Sequence, residues 1–350
     1  MTRAVISYGP VPVEDTGNYV DMTAELGGVW LPNPVLTASG CAASGRELDQ
    51  FFDVTKIGAV VTKSIMLQPR SGRPTPRMAE TPSGMLNSIG LQGPGIDGFI
   101  EHDFAWLRDR GVRTVVSIAG SSADEYMKLA QKLRHVEDIT AIEVNISCPN
   151  VENKGLIFAR DAQSAANVIA SVRRNTASDI PVIAKLSPDV TDIVEIATAC
   201  VRAGANGLAL INTMMGLVID TRTLRPHLAG VTGGLSGPAI RPVALRCVWE
   251  VNQAMPQVPI LGMGGIRTGE DALQFILAGA SAVSVGTATF NDPGAPMRIL
   301  TELNRELSVR GFERLTDAVG YAHRAGDEMP EPPAPSAPDE HLSGPVQRWP

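Results

Sequence analysis

A cysteine follows a short apolar run, at the point where a buried strand is expected to end. Cys148 lies in Asn145-Ile-Ser-Cys-Pro-Asn150, immediately after Thr140–Val144. A cysteine thiol has an unperturbed pKa of about 8.5, so it becomes reactive as a thiolate above neutral pH. Pro149 restricts the backbone both at itself and at Cys148. Cys148 is therefore a candidate catalytic residue, although a free cysteine can also serve as a small buried hydrophobe.

Two lysines lie at the ends of predicted buried strands. Lys63 ends the second strand, and Lys185 ends the fifth in Val-Ile-Ala-Lys-Leu-Ser-Pro. A lysine in such a place costs free energy unless it meets an anion or a wet cavity. Two of them at equivalent strand ends favour a functional pocket over a pair of solvated side chains. Asn212 and Thr213 follow the sixth strand and add polar groups to the same expected edge.

Three glycine-rich stretches lie late in the chain. They are Gly233-Gly-Leu-Ser-Gly237, Gly262-Met-Gly-Gly265 and Gly286-Thr-Ala288. Backbone N–H groups of such loops bind phosphate, particularly where a helix begins. Glycine is also what any tight turn requires, so a single stretch of this kind says little. Together the three predict a phosphorylated ligand, and the absence of a G-x-x-x-x-G-K-[ST] motif argues against a nucleoside triphosphate.

Short runs rich in Val, Ile and Ala alternate with amphipathic helical stretches along the chain. Continuous apolar runs are typical of parallel strands that are covered on both faces. Eight strand–helix repeats predict one closed (β/α)8 TIM barrel, whose active site lies at the carboxyl ends of the strands. The predicted strands are Pro34–Ala38, Gly58–Lys63, Thr114–Ala119, Ile139–Val144, Ile180–Lys185, Gly207–Ile211, Val258–Gly262 and Ala282–Gly286.

Several helices carry predicted start and stop signals. Ser122, Thr191 and Thr268 are expected N-caps, and Ser122 is followed at the third position by Glu125, which completes a capping-box pattern. Glycines at 204 and 279 are expected to end two of these helices. The helices thus have the lengths that a strand–helix repeat requires.

Two segments depart from the repeat. Residues 66–96 contain many glycines and prolines and predict an elaborated loop after the second strand, over the barrel mouth. The carboxyl-terminal stretch is rich in proline and acidic residues, which predicts disorder. We therefore expect a lead-in at 1–30, a barrel domain at 31–324 and a disordered tail at 325–350.

Charge and composition argue against several kinds of binding partner and binding site. The formal net charge is −7, the pI is about 5.3, and 44% of the residues are hydrophobic. An acidic surface argues against a nucleic-acid or anionic-membrane partner. The four cysteines and five histidines show no ligand spacing, so no metal site is predicted. The start of the chain has no signal-peptide core and no apolar span of about 20 residues, which predicts a cytoplasmic protein.

Seven stretches together form one pattern: Asn145-Ile-Ser-Cys-Pro-Asn150, Lys63-Ser64, Asn87-Ser-Ile-Gly-Leu91, Lys185-Leu-Ser-Pro188, Asn212-Thr213, Gly233-Gly-Leu-Ser-Gly237-Pro and Gly262-Met-Gly-Gly265. This joint pattern resembles class 1 dihydroorotate dehydrogenase, and the resemblance runs from about residue 20 to about residue 324. It implies a (β/α)8 flavoprotein that uses FMN to oxidise (S)-dihydroorotate to orotate in pyrimidine biosynthesis.

The resemblance also implies roles for individual residues. Cys148 would be the base that removes the C5 proton, while C6 gives hydride to flavin N5. The substrate would be held by Lys63, Asn87, Ser88, Ile89, Gly90, Leu91, Asn145, Asn150, Asn212 and Thr213. FMN would be held by Ser39, Lys63, Ser64, Asn145, Lys185, Ile211, Gly237, Gly264, Gly265, Gly286 and Thr287.

These residue types suit that chemistry. A pyrimidine edge alternates C=O and N–H groups, and each asparagine amide offers an acceptor and two donors. The substrate carboxylate needs a cation, for which Lys63 is the candidate. Reduced flavin gathers negative charge near N1, and Lys185 could stabilise it there. Two positions depart from the family pattern: Ser117 stands where an asparagine is usual, and residues 151–160 lack the expected glycines.

Several alternatives stay open at this stage. Class 1B is the nearest subclass, and its catalytic subunit passes electrons to NAD through a partner with FAD and a 2Fe–2S cluster. The chain has no cysteine cluster or G-x-G-x-x-G motif of its own, so NAD as acceptor requires such a partner, as a heterotetramer. Class 1A, a homodimer type using fumarate, is the second choice. A dihydropyrimidine dehydrogenase-like enzyme acting on uracil or thymine is a further alternative, as is a non-catalytic flavin-barrel paralogue.

Overall fold

The computed structural model describes residues 20–146 and 161–324. Its strands, numbered in chain order, are β1 (Ala24–Leu26), β2 (Val29–Leu31), β3 (Val35–Thr37), β4 (Val60–Val61), β5 (Met78–Thr81), β6 (Gly84–Asn87), β7 (Thr114–Ile118), β8 (Ile139–Asn145), β9 (Val182–Leu186), β10 (Gly207–Leu210), β11 (Met214–Gly216), β12 (Ile219–Asp220), β13 (Arg225–Pro226), β14 (Gly233–Ser236), β15 (Ile260–Met263) and β16 (Ala282–Val285).

Eight parallel strands form the central sheet. Their spatial order is β3-β16-β15-β10-β9-β8-β7-β4. A parallel bridge between Leu36 and Ala59 joins the two outer strands, and Thr37 N donates to Ala59 O at 3.3 Å. The sheet therefore closes on itself, and the predicted TIM barrel is confirmed. Each of the eight predicted strands overlaps one of these barrel strands.

The barrel interior is apolar along most of its length and polar at one end. Ala141 and Ile183, which lie two positions before Glu143 and Lys185 and therefore share their faces, are both buried. Because side chains alternate along a strand, Glu143 and Asn145 share one face of β8. The register pairs Ser117 with Glu143 and Asn145 with Lys185. Polar residues thus replace aliphatic ones where these strands approach their carboxyl ends.

Helices cover the outside of the barrel. Ser122 and Thr268 cap their helices as predicted, since each side chain accepts from the N–H three residues on. The capping box predicted at Ser122 is wrong, because the Glu125 carboxylate accepts from Ser121 N and not from Ser122 N. The N-cap predicted at Thr191 is wrong. The N-cap is Asp192, whose carboxylate accepts from Val194 N at 2.8 Å. The helices are α1 (Gly95–Gly98), α2 (Ala105–Asp109), α3 (Ala123–Leu133), α4 (Ala162–Asn175), α5 (Ile193–Arg202), α6 (Arg241–Ala254), α7 (Gly269–Leu277), α8 (Ala295–Ser308) and α9 (Leu315–Ala318), with a π-helical segment at Phe99–Phe104 between α1 and α2.

A short hairpin of β1 and β2 packs at the amino ends of the barrel strands. Its turn contains Gly27, which has φ of +65°. A Cβ at this position would lie 2.9 Å from Ile183 Cδ1 and 3.2 Å from Asn206 Cβ. Leu26 beside the turn is 2% exposed. The hairpin therefore closes the lower end of the barrel with apolar contacts.

A four-stranded antiparallel sheet, ordered β11-β14-β6-β5, lies at the other end. The predicted loop at 66–96 contains its hairpin β5–β6, in which Ala79 pairs with Leu86. Residues 233–236 were interpreted as part of a phosphate-binding turn, but they form strand β14, and Leu235 pairs with Leu86. Pairing across about 150 residues overrides the weak strand propensity of these glycines.

Some predictions fall on parts of the chain that the structure does not describe. These are the lead-in before residue 20, the stretch at 147–160 with Cys148 and Asn150, and the tail at 325–350. The domain boundaries and the disorder of the tail stay predictions. Within the described residues, no helix has the length and apolar character needed to cross a membrane.

Candidate active site

Hydrogen bonds link the polar side chains at the carboxyl ends of the strands. Lys185 Nζ donates to Ser39 Oγ at 2.9 Å and lies 3.6 Å from Glu143 Oε1. Ser117 Oγ donates to the same carboxylate oxygen at 2.8 Å. Ser64 Oγ lies 2.9 Å from Ser117 Oγ. These contacts connect β7, β8 and β9 with the loops that follow β3 and β4.

The same network continues to the sixth barrel strand. Asn145 Nδ2 donates to Ser64 Oγ at 3.0 Å, and Asn212 Nδ2 donates to Asn145 Oδ1 at 3.2 Å. Thr213 N donates to Asn212 Oδ1 at 2.9 Å. Tyr126 Oη donates to Asn145 O at 2.7 Å, which fixes the end of β8. The predicted residues Ser39, Ser64, Asn145, Lys185, Asn212 and Thr213 therefore belong to one connected group.

Glu143 is the member of this group that the sequence reasoning missed. It is fully buried, whereas an acidic side chain is almost never fully buried unless it is paired. The sequence feature that could have identified Glu143 is its position as a single acidic residue inside the otherwise apolar stretch that ends at Val144. Ser117, noted only as a departure from the family pattern, joins Glu143 to Ser64. An acid within a predicted barrel strand was therefore a usable indication of a site.

A cavity of about 300 Å³ opens at this end of the barrel. The β5–β6 hairpin borders it through Pro82, Ser83 and Gly84. Its lining also includes Cys41, which the sequence suggested as a packing residue beside the flavin, and Arg267, which no prediction had placed in a site. Among the predicted residues, the lining contains Ser39, Lys185, Ile211, Asn212, Thr213, Gly237, Gly264, Gly265, Gly286 and Thr287.

Positive charge converges on this cavity. Burial raises the pKa of the Cys41 thiol, and the charges of Lys185 and Lys63 oppose that rise. Both strand-end lysines therefore lie near Cys41. Arg267 also lines the cavity, and Glu80 is the one acidic residue that the described lining contains. A cavity with this balance of charge suits an anionic ligand.

The predicted substrate segment 87–91 begins at the end of β6. Asn87 Nδ2 donates to Gly234 O at 3.2 Å. A Cβ at Gly234 would collide with the Thr213 hydroxyl, so Asn87 and Thr213 both lie against Gly234 of β14. Ser88 Oγ accepts from Arg73 Nη1 at 3.0 Å. Gly90 and Leu91 both have positive φ, of +79° and +56°. The segment is thus held as a tight turn next to Thr213.

Known proteins match most of this chain. The family model described as dihydroorotate dehydrogenase matches residues 22–307. The chain belongs to the dihydroorotate dehydrogenase family. It is 50% identical over 300 residues to a protein of Geotalea daltonii named dihydroorotate dehydrogenase B (NAD(+)), catalytic subunit, with 86% of this chain and 97% of the relative covered. Relatives with the same name from Geobacter sulfurreducens and Pelobacter propionicus are 49% and 51% identical, covering 86% of this chain and 97% and 98% of their own lengths.

Membership of the dihydroorotate dehydrogenase family implies a flavin cofactor. The cavity fits such a group in two respects. The Ser284 hydroxyl lines it and is buried without a hydrogen-bond partner among the described residues, as expected of a group that meets a polar ligand. Glycine backbone also forms part of its wall, at Gly265, where an added Cβ would lie 2.8 Å from Gly237 O, and at Gly286, where it would lie 3.2 Å from Ala38 Cβ. Main chain without side chains therefore lines the cavity at these turns.

Proposed function

We propose that this protein oxidises (S)-dihydroorotate to orotate in pyrimidine biosynthesis, with FMN bound in the cavity at the carboxyl end of the barrel. The family match over residues 22–307 is the observation that carries the reaction. The cavity supports the location, because most of the residues predicted to hold the cofactor line it.

The choice of FMN rests on the part of the cavity that could bind a phosphate. Gly264, Gly265 and Gly286 follow β15 and β16, the loops where barrels of this kind commonly bind phosphate. Arg267 lies in the same lining and supplies a cation for that phosphate. Ser39 and Lys185 line the cavity as well, but they belong to the polar network at the strand ends. We therefore assign the glycine turns to the phosphate and Lys185 to the ring.

The substrate would lie between the cavity and the 87–91 turn. Asn145 and Asn212 are bonded to each other and present amides that match alternating C=O and N–H groups. Asn87 and Thr213, which both contact Gly234, would hold the substrate beside these amides. Lys63 would meet the substrate carboxylate. Asn150, which lies outside the described residues, completes the proposed amide set.

Cys148 is the proposed base. It would take the C5 proton as a thiolate while the substrate is held against the amides. When bound, the flavin supplies the acceptor for the hydride that leaves C6. Lys185 would stabilise the negative charge that this transfer brings into the cavity. Cys148 lies three residues beyond Asn145, whose carbonyl Tyr126 holds in place.

The electron acceptor is proposed from the relatives' names. Each of the three is called a catalytic subunit and is NAD(+)-linked. We infer that this protein likewise works with a second subunit, one that carries FAD and a 2Fe–2S cluster and reduces NAD. The chain itself has no C-x-x-C pair to hold such a cluster.

The test begins with the purified chain and its visible spectrum. A yellow protein that releases FMN on denaturation and bleaches when dihydroorotate is added without oxygen is the expected result. A colourless protein that cannot be reconstituted with FMN would contradict the cofactor assignment. A yellow protein that bleaches with dihydrouracil but not with dihydroorotate would contradict the substrate assignment. Reoxidation by fumarate, but not by NAD with the partner subunit present, would contradict the proposed acceptor.

A further inference from the structure

A buried carboxylate stands behind the cavity lysine, and the proposed reaction gives it no role. Glu143 is fully buried, and its Oε1 accepts from Ser117 at 2.8 Å and lies 3.6 Å from Lys185 Nζ. Its Oε2 has no hydrogen-bond partner among the described residues. Such a carboxylate is costly in a barrel interior, so Lys185 is its essential counter-charge.

The geometry makes Glu143 act through the lysine. Lys185 lines the cavity and is held between Ser39 Oγ at 2.9 Å and Glu143 Oε1 at 3.6 Å. Glu143 itself is absent from the cavity lining. Its carboxylate therefore reaches a bound ligand only through the position of the ammonium group and through its electric field.

That field opposes the field of the ammonium. In the interior of a protein a unit charge a few ångströms away is screened far less than in water. The Glu143 carboxylate therefore offsets part of the positive potential that Lys185 applies to the cavity. An unopposed ammonium would hold a negatively charged ligand more tightly than the ion pair does.

We propose that Glu143 is a positioning residue that fixes the Lys185 ammonium at the cavity wall and sets how strongly it stabilises negative charge on the bound flavin. The part that concerns flavin rests on the proposed function. The ion pair itself does not, and the two parts have separate tests.

The first test is the midpoint potential of the bound flavin in Glu143→Gln. This variant keeps the shape and the bond from Ser117 but removes the charge. We expect reduced flavin to gain roughly tenfold in binding relative to oxidised flavin, a rise of about 30 mV for a two-electron couple. An anaerobic titration against reference dyes measures it. An unchanged or lower potential would overturn the proposal.

Ser117→Ala is the matched control. It removes a neutral hydrogen bond from the same carboxylate oxygen and leaves the charge in place. We expect a much smaller shift in potential than in Glu143→Gln. An equal shift would assign the effect to the hydrogen bond and overturn the electrostatic role.

The second test needs no flavin. In the apoprotein, Lys185→Met leaves a buried carboxylate without its cation and should lower the Tm strongly. The double variant Glu143→Gln/Lys185→Met replaces the pair by neutral side chains and should recover much of that loss, including where a single variant fails to fold. Additive effects of the two changes would overturn the coupling. A colourless wild-type protein would defeat the proposed function while leaving this result intact.

Discussion

The two ends of the barrel are built from the same strands but bury different side chains. The lower end is the one at the amino ends of the barrel strands, and the upper end is the one at their carboxyl ends. At the lower end, the turn at Gly27 packs on Ile183 and Asn206, and Leu26 is 2% exposed. At the upper end, Glu143 and Lys185 are equally buried but form a polar network. Apolar burial at the lower end contributes stability.

The difference separates stability from function within one fold. A buried polar group costs free energy unless every partner is in place. The upper end nevertheless carries several such groups, beside a cavity lined by Ser284, whose hydroxyl has no hydrogen-bond partner in the part of the chain that the structure describes. Changes to the network and the cavity at the upper end should therefore alter chemistry and flavin binding, whatever they do to stability, whereas changes at the lower end should alter stability alone.

The largest expected effect is on the chemistry at the upper end. Cys148→Ser should slow flavin reduction by dihydroorotate by at least about 100-fold, since it removes the proposed base. The deficit should be greatest near neutral pH, because serine is far less acidic than cysteine. Stopped-flow absorbance without oxygen measures it. Cys200→Ala is the control, since Cys200 is buried in α5, where burial raises its pKa to about 12. An undiminished rate in Cys148→Ser would remove that residue from the base role.

At the lower end, the expected effect is on stability alone. Leu26→Ala deletes a buried side chain and should reduce the free energy of unfolding by about 2–5 kcal/mol. Urea unfolding measures that loss. The rate of flavin reduction per bound flavin should stay the same, and a large fall in it would mean that the two ends are coupled.

Two glycines give a matched comparison between the ends. Gly265 and Gly27 have φ of +76° and +65°, and an added Cβ would lie 2.8 Å from Gly237 O and 2.9 Å from Ile183 Cδ1, respectively. Substitution by alanine should cost about 1–3 kcal/mol of strain at either site. Only Gly265→Ala should also lower the ratio of flavin to protein, measured by absorbance. Equal flavin content in both variants would argue against the glycine cradle.

The smallest expected effect is the loss of stability on removing Asp161, a polar residue at the upper end to which the proposed reaction gives no role. Asp161 caps α4, and the hydrogen bond from Ser164 lowers the pKa of its carboxyl group. Because the folded pKa is depressed, this stabilisation is present above the unfolded value of about 3.9 and is lost as pH falls through the folded pKa. Asp161→Ala should lower the Tm by a few degrees at pH 7, and the difference should shrink below about pH 4. Flavin reduction should not change, and a clear loss of rate would give Asp161 a part in the site.

The barrel strands could be predicted because their signal is local. Largely apolar runs such as Val182–Leu186 predict strands that are covered on both faces, and polar residues such as Lys185 interrupt these runs near their ends. The helix caps at Ser122 and Thr268 are also local, whereas Asp192 competed with Thr191 at a neighbouring position. The upper sheet could not be predicted, since β14 pairs with β6 across distant parts of the chain.

The sequence by itself determined the repeat of strands and helices, the family and the kinds of polar groups available for chemistry, because these depend on residue type and spacing. Only the tertiary structure decided which of those groups meet. Glu143 becomes the partner of Lys185 and Ser117 through the register of three neighbouring strands. Gly234 becomes the link between Asn87 and Thr213 because a strand from the sixth repeat pairs with the hairpin of the second. Contacts of this kind depend on the closure of the barrel, which no local pattern specifies.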